Sequence, residues 1–435
     1  MIAVRRPADR RQAPAAALVA VTAVAAGALA GQAPGPAAFL AVAATAAAYA
    51  SARPILALAA MVVSFVFEDW LATVGAVGIL TPAKAVGLLA VAAWVVDWSV
   101  RGRPVRTAPA LWAVVGLGVW VLAATATARD LERAVLVGSR YVMFAALFFL
   151  LLQAVDGDRD RAGLLLDVAV VSAAAAAAVG LAQFFGGAVD RARGPLDNPN
   201  DFGFVLASTI PLALVRFGAG GRVRKLVIGA AAGLTFAGVL GTYSRSALLG
   251  LGVAAVFAVV TRRLPIRVAV MVVGGLALAG FLAYRANPDV VDQALARKEA
   301  VADQNVRTRL GYWQVALAEW QSSPVLGVGP GNYESRFAEF GSRWLGDEVQ
   351  PATHNAYLNV LAELGLPGLG LFLAFLGLSW RSLRRRPADD QATAVLRAAL
   401  AASFVVALVG SLFLNEQFYA PLWFASALGA GLSDR

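Results

Sequence analysis

Long apolar runs, separated by short basic segments, fill almost the whole chain. They predict spans near 15–31, 36–50, 54–75, 79–99, 109–127, 133–154, 163–186, 201–217, 225–241 and 246–260. Further spans fall near 266–284, 355–380, 394–414 and 418–432. A helix needs about 20 apolar residues to cross the hydrocarbon core, and lipid offers no partner to an open sheet edge. Pro54, Glu68 and Asp69 interrupt the stretch from 36 to 75, which leaves a count of about 12 to 14 helices. The pattern predicts an all-α fold: a polytopic transmembrane helix bundle with one large extracytoplasmic loop containing amphipathic helices. Four segments follow: N-terminal transmembrane helices over 1–185, central helices with external arginine turns over 186–284, the loop over 285–353, and C-terminal transmembrane helices over 354–435. No period of 20–50 residues marks a repeat.

Composition supports the class. Hydrophobic residues make up 59% and charged residues 15%, against about 25% charged in soluble domains. With a mean hydropathy of +0.69, the chain has too little polar surface to cover itself in water, which indicates an integral membrane protein. Cysteine is absent and histidine occurs once. Disulfides, thiolate nucleophiles and cysteine metal sites are therefore excluded, and no cofactor is expected. The formal charge of +10 does not imply nucleic acid. The arginines lie in short loops, as topology signals and lipid-headgroup contacts do.

Those arginines also set an orientation. The clusters Arg5–Arg6–Arg10–Arg11, Arg101–Arg103–Arg106, Arg216–Arg222–Arg224–Lys225, Arg262–Arg263–Arg267 and Arg381–Arg384–Arg385–Arg386 are separated by even numbers of spans. All can face the cytoplasm together. The N-terminal run reads as an uncleaved first helix of an inner-membrane, multi-pass protein rather than a secretory signal. Segments 187–200, 241–245 and 285–353 then fall outside the cytoplasm. They hold Arg191, Arg193, Arg245, Arg307 and Arg309, cations on the side that usually lacks them. Either translocation tolerates them or they have another task.

The candidate chemistry begins with Pro351-Ala352-Thr353-His354-Asn355-Ala356-Tyr357-Leu358, where the polar loop re-enters an apolar run and carries the single histidine. An unperturbed imidazole exchanges its proton near neutral pH. In the helix that follows, Asn355, Asn359 and Glu363 form one polar stripe. Glu363 lies roughly 12 Å below His354 at about 1.5 Å per residue. Arg140 is similarly deep in its own span. Such groups face the bundle interior and find a partner, so a structural ion pair is the alternative to a functional role for both. Leu310, Trp313, Leu317 and Trp320, with Arg307, Arg309 and Gln314 between them, predict an amphipathic helix. It lies on the outer leaflet, caps a cavity, or packs on the other spans. The following Gly327-Val328-Gly329-Pro330-Gly331-Asn332 reads as a structural turn or a weak phosphate cradle.

Arg191-Ala192-Arg193-Gly194-Pro195-Leu196-Asp197-Asn198-Pro199-Asn200 forms an external turn, and Arg245 lies within Thr242-Tyr243-Ser244-Arg245-Ser246. An arginine fork suits diphosphate oxygens and neutralises them without a metal. The Asp156-Gly157-Asp158 element falls in a cytoplasmic loop, where it reads as a solvated turn rather than a metal site for sugar nucleotides.

Three motifs in order resemble the O-antigen ligase and O-antigen polymerase superfamily. They are Ser244-Arg245-Ser246 at a span start, Arg307-x5-Trp313 leading through Pro324-x2-Gly327-x-Gly329-x-Gly331-Asn332, and His354-Asn355-x-Tyr357-Leu358-x4-Glu363-x-Gly365-x-Pro367-Gly368. The likeness is strongest over about 190–380. It implies a C-type glycosyltransferase fold acting at the outer face of the cytoplasmic membrane. The implied donor is a polyprenyl-diphosphate-linked glycan, and the acceptor is a glycan, lipid or protein hydroxyl. Carried over by position, His354 matches the base and Arg245 a diphosphate ligand. Arg191 or Arg193 matches the arginine before the Gly-x-x-x-Asn-Pro-Asn turn, and Ser246 stands where many relatives have Gly. Asn200, Arg307, Arg309, Asn355, Tyr357, Glu363 and Arg140 are the supporting residues. The implied reaction is an inverting, metal-independent transfer.

Two other classes compete. A transporter or flippase of lipid-linked sugars or small solutes also places polar groups in helices, often at helix breaks near the midplane. A purely structural membrane protein accounts poorly for one histidine at a span boundary. Polar groups concentrated at the outer face and in one loop favour the enzyme.

Overall fold

The computed structural model describes residues 54–74, 81–102, 104–196, 198–218, 221–261, 285, 308–341, 352–384, 391–418 and 420–433. The expected spans 15–31, 36–50 and 266–284, and Arg307, lie outside these. The described helices, in chain order, are α1 (Pro54–Val66), α2 (Glu68–Val74), α3 (Pro82–Arg101), α4 (Pro109–Ala124), α5 (Leu131–Val155), α6 (Arg159–Phe185) and α7 (Pro199–Phe217). They continue with α8 (Arg222–Gly241), α9 (Arg245–Val260), α10 (308–322), α11 (Asn332–Gly341), α12 (Ala356–Arg384), α13 (Gln391–Gly410) and α14 (Ala420–Gly431). No strand occurs among the described residues.

Seven of the described helices are long and apolar enough to cross a membrane: α3, α4 with its extension to Thr127, α5, α6, α8, α12 and α13. Their starts are written locally. Thr81, Asp130, Asp158, Asn198 and Ser244 each cap a following helix through the side-chain oxygen, satisfying N–H groups that no helical carbonyl reaches. Helix α8 packs on α6 and α7, α13 on α7 and α9, α12 on α4, and α14 on α5 and α13.

The bundle has two chemically distinct ends. At the basic end, Arg106 pairs with Asp156 at 2.6 Å and also donates to the Ser433 carbonyl. Gly157 N–H donates to Gly431 O at 2.8 Å. Asp167 takes both Arg216 (2.7 Å) and Arg224 (2.6 Å), and the Arg216 guanidinium lies against Gly163, where a Cβ would press on it. Asp158 caps α6, so the Asp-x-Asp element is a paired and capped turn. At the opposite end, Ala356 N–H donates to Ser411 O at 2.8 Å. Gly410 packs on Phe204, as does Gly250. The starts of α7, α9 and α12 therefore share one level, and that level carries the histidine.

Two expected spans differ from the continuous helices that hydropathy suggests. The run 54–75 divides into α1 and α2. Helix α12 is broken at Gly365, whose backbone (φ 66°, ψ −170°) is non-helical. Only glycine tolerates that region, and Pro367 removes a further helical donor.

Candidate functional site at the histidine end

His354 adopts a left-handed backbone (φ 47°), uncommon for a residue with a side chain and a strain typical of functional turns. The turn is held from all sides. Asn355 Oδ1 accepts from Tyr357 N (3.0 Å) and Leu358 N (3.1 Å), capping α12. Thr353 Oγ1 bonds Asn359 Oδ1 at 3.2 Å and also reaches Asn415 Oδ1. Trp313 Nε1 of α10 donates to Thr353 O at 3.1 Å. The Tyr312 ring lies 5.8 Å from the imidazole. Burial, with help from the Arg309 charge, pulls the His354 pKa from 6.5 down to about 4. The imidazole is thus neutral at pH 7, a stronger shift than the sequence suggests. Asn355 is a cap, and the Tyr357 hydroxyl donates to Leu408 O at 3.2 Å, so both hold the turn in place.

Below it, residues 324–331 plug the break in α12. Val328 N donates to Ala362 O (2.9 Å), Gly329 N to Glu363 O (3.0 Å), and Leu366 N to Pro324 O (3.0 Å). Trp120 Nε1 takes the Leu364 carbonyl at 2.7 Å. Three freed carbonyls and one freed N–H thus find partners inside the bundle, as an apolar environment demands. Gly327, Gly329 and Gly331 all have positive φ, at 72°, 96° and 71°. A Cβ on Gly327 would strike the Glu363 backbone, and one on Gly329 would sit 2.8 Å from Ala128 Cα. The glycine run is therefore a docking turn, not a phosphate cradle. The Glu363 carboxylate is approached by the backbone N–H groups of Gly331 and Tyr333 and by the Asn359 side chain.

Helix α10 packs through Tyr312, Val315 and Ala316 onto Tyr333, Phe337 and Ala362. The face read from sequence is the more open one: Leu310 and Leu317 are exposed. The buried face also holds Glu319, 0% exposed with neither carboxyl oxygen hydrogen-bonded. Burial, then Glu363, push its pKa up to about 9 against the pull of Arg336, which makes it a neutral acid at pH 7. Nothing in the periodicity singled it out, since a glutamate between tryptophans looks like part of a wet face.

The arginine turn forms a second group. Arg191 donates from Nε to Thr242 O and from Nη2 to Asn200 Oδ1, both at 2.7 Å. Ala192 N donates to Gly241 O at 2.9 Å. One guanidinium thus ties the 191–196 turn to the start of α7 and to the hairpin tip that carries Arg245. Arg193 and Arg245 are exposed, and neither side chain makes a hydrogen bond or ion pair among the described residues. No such bond joins this group to His354 either; the two share an end of the bundle.

Glu363 and Arg140 form no ion pair. Both line a cavity of about 510 Å³ between α5, α12 and the 415–418 turn, with Arg133, Asn359, Asn415 and Gln417. The Arg140 guanidinium lies over the Phe418 ring at 5.9 Å. Asn332, Glu334 and Glu339 of α11 dock on the tip before α5. Asn332 Oδ1 accepts from Asp130 N at 2.9 Å, while Glu334 pairs with Arg133 and Glu339 with Arg129.

Fold and site together define a multi-pass, all-α membrane protein whose polar loop is built into a broken span. Residues 230–373 match the family model described as O-antigen ligase. The match supports the O-antigen ligase and polymerase superfamily for this chain and spans Arg245, His354 and Glu363, but not Arg140, Arg191, Arg193 or Asn200. No curated protein matches the chain.

Proposed function

We propose that the protein transfers a glycan from a polyprenyl diphosphate to an acceptor hydroxyl at the extracytoplasmic face of the inner membrane. His354 is the general base. Its proximal support is the neutral imidazole, held in a strained, fully braced turn at the same end of the bundle as Arg191, Arg193 and Arg245. That single placement carries the reading. The acceptor O–H gives its proton to His354 while its oxygen bonds to the anomeric carbon. The bond from that carbon to the diphosphate breaks on the opposite side, so configuration inverts. Arg193 and Arg245 meet the charge that develops on the leaving diphosphate, and Arg191 holds their turn in shape. An imidazole with a pKa of about 4 is a weak base in the free protein. Arrival of the anionic donor raises its basicity at the moment the proton must move.

The transporter reading gains one observation, the break in α12, because transporters bind solutes at broken helices. Here the carbonyls of Ala362, Glu363 and Leu364 are already taken by Val328, Gly329 and Trp120. The break is thus filled by protein rather than open to a solute, which favours the enzyme. The test is mass analysis of cell-envelope glycans from cells with the wild type, with His354→Ala and with no protein. Transfer products are expected only with the wild type. Unchanged products from an equally expressed His354→Ala variant would remove the base, and products persisting without the protein would end the reading.

A further inference from the structure

We infer that the cavity beside the α12 break is a pyranose subsite, which seats a sugar of the glycan and not its diphosphate. The inference rests on the glycan-transfer reading and deepens it. The cavity's volume of about 510 Å³ falls within the roughly 300–1,000 Å³ of small-ligand sites. It adjoins the histidine turn directly, because Asn359 and Asn415 on its wall both hold the Thr353 hydroxyl next to His354.

The charges of the wall decide between sugar and phosphate. Among the described residues of the wall, Asp130, Glu132, Glu334 and Glu363 stand against Arg133 and Arg140, and Arg133 is already paired with Glu334. A net acidic wall repels a diphosphate but costs a neutral polyol nothing. Hydrogen-bonding capacity points the same way. Gln417 Oε1 and Glu363 Oε2 have no donor, and their residues are 1% and 4% exposed. Buried acceptors without donors are expensive. Phosphate oxygens can only accept, whereas a sugar hydroxyl donates to such atoms and accepts from Arg140 at the same time. Phe418, which also lines the wall, adds an apolar surface for the C–H groups of a pyranose. The phosphates are left to the turn, where Arg193 and Arg245 stand exposed.

Saturation-transfer NMR on the full chain in micelles tests this, with neutral hexoses, N-acetylhexosamines and inorganic pyrophosphate as probes. At least one saccharide is expected to bind the wild type and to bind Glu363→Gln, Gln417→Leu and the exposed-site variant Arg140→Gln about tenfold more weakly, the cost of one buried hydrogen bond. Pyrophosphate binding should be unchanged in those three and lost in Arg245→Ala. A sugar 1-phosphate that binds more tightly than the free sugar, with the gain lost in Arg245→Ala, assigns the subsite to the donor. Equal binding assigns it to the acceptor. No response from any saccharide, or pyrophosphate lost in Arg140→Gln but not in Arg245→Ala, overturns the sugar subsite. Either result leaves glycan transfer standing, because that reading fails separately, on the envelope glycans.

Discussion

The Gly329 N–H donates to the Glu363 carbonyl at 3.0 Å, joining the loop that precedes the histidine to the helix that follows it. The bond exists because Pro367, four residues on, has no N–H to give that carbonyl, and α12 breaks at Gly365 beside it. One helix break therefore does two things: it places the Glu363 side chain on the cavity wall and anchors the loop that carries α10 and α11. Shape at the site depends on backbone torsions that only glycine adopts.

Gly365→Ala tests that dependence. A Cβ there would collide with the Val325 carbonyl, and the backbone lies in a region reserved for glycine. We expect about 3 kcal/mol or more of destabilisation, read as a lowered unfolding temperature together with lost glycan transfer. Trp120→Phe should cost less, about 1–3 kcal/mol, for one orphaned carbonyl at Leu364. A Gly365→Ala protein as stable as the wild type would mean that the break is not needed.

On the proposed mechanism the His354 imidazole sets the acid limb of transfer. Protonation removes the base, and the His354 pKa is pulled down from 6.5 to about 4. The pH profile of kcat/KM should therefore stay level through pH 6.5 and fall only as pH drops through about 4. Arg309→Gln removes the smaller of the two causes, so its limb should move up part of the way toward 6.5, because burial remains. His354→Ala should lose about 10²–10⁴-fold in rate. A wild-type limb at 6.5 would contradict the buried, neutral imidazole.

Glu319 predicts a stability slope of opposite sense. Its folded pKa of about 9 stands above the ordinary 4.5, so the unfolded chain releases a proton that the folded one keeps. The wild type is then favoured below pH 4.5 and loses stability as pH rises toward 9. Glu319→Gln, isosteric and always neutral, should match the wild type in the acid range and melt at progressively higher temperature above it. Parallel melting curves for the two proteins across that range would refute the assignment.

The arginine turn separates bracing from binding. Arg191→Lys loses the fork that spans Thr242 O and Asn200 Oδ1. It should lower the unfolding temperature, at about 1–3 kcal/mol for the lost bonds, and reduce transfer with it. Arg245→Ala, at an exposed position, should melt like the wild type yet lose transfer. Equal thermal loss in both variants would make Arg245 another brace.

Much of this architecture was legible in the chain itself. Helix bounds such as Leu131–Val155 and Arg159–Phe185 lie within a few residues of the apolar runs, since lipid selects for length and hydropathy. Caps at Asn198 and Ser244 follow from residue type. The face of α10 misled: Leu310, Trp313, Leu317 and Trp320 carry the periodicity, while Tyr312, Val315, Ala316 and Glu319 are buried. In a membrane protein an apolar stripe can face outward, so hydrophobicity alone does not identify the packed side.

Sequence alone established a polytopic helical membrane protein, its motif order and a histidine at a span boundary, because each is a local property of composition and spacing. Only the tertiary structure decided that α12 breaks and is refilled by the glycine loop, and that Arg191 braces while Arg193 and Arg245 stand open. It also decided that Glu363 and Arg140 share a cavity instead of an ion pair. Those outcomes depend on which backbone groups and charges meet across helices far apart in the chain, and no pattern along a single helix records that meeting.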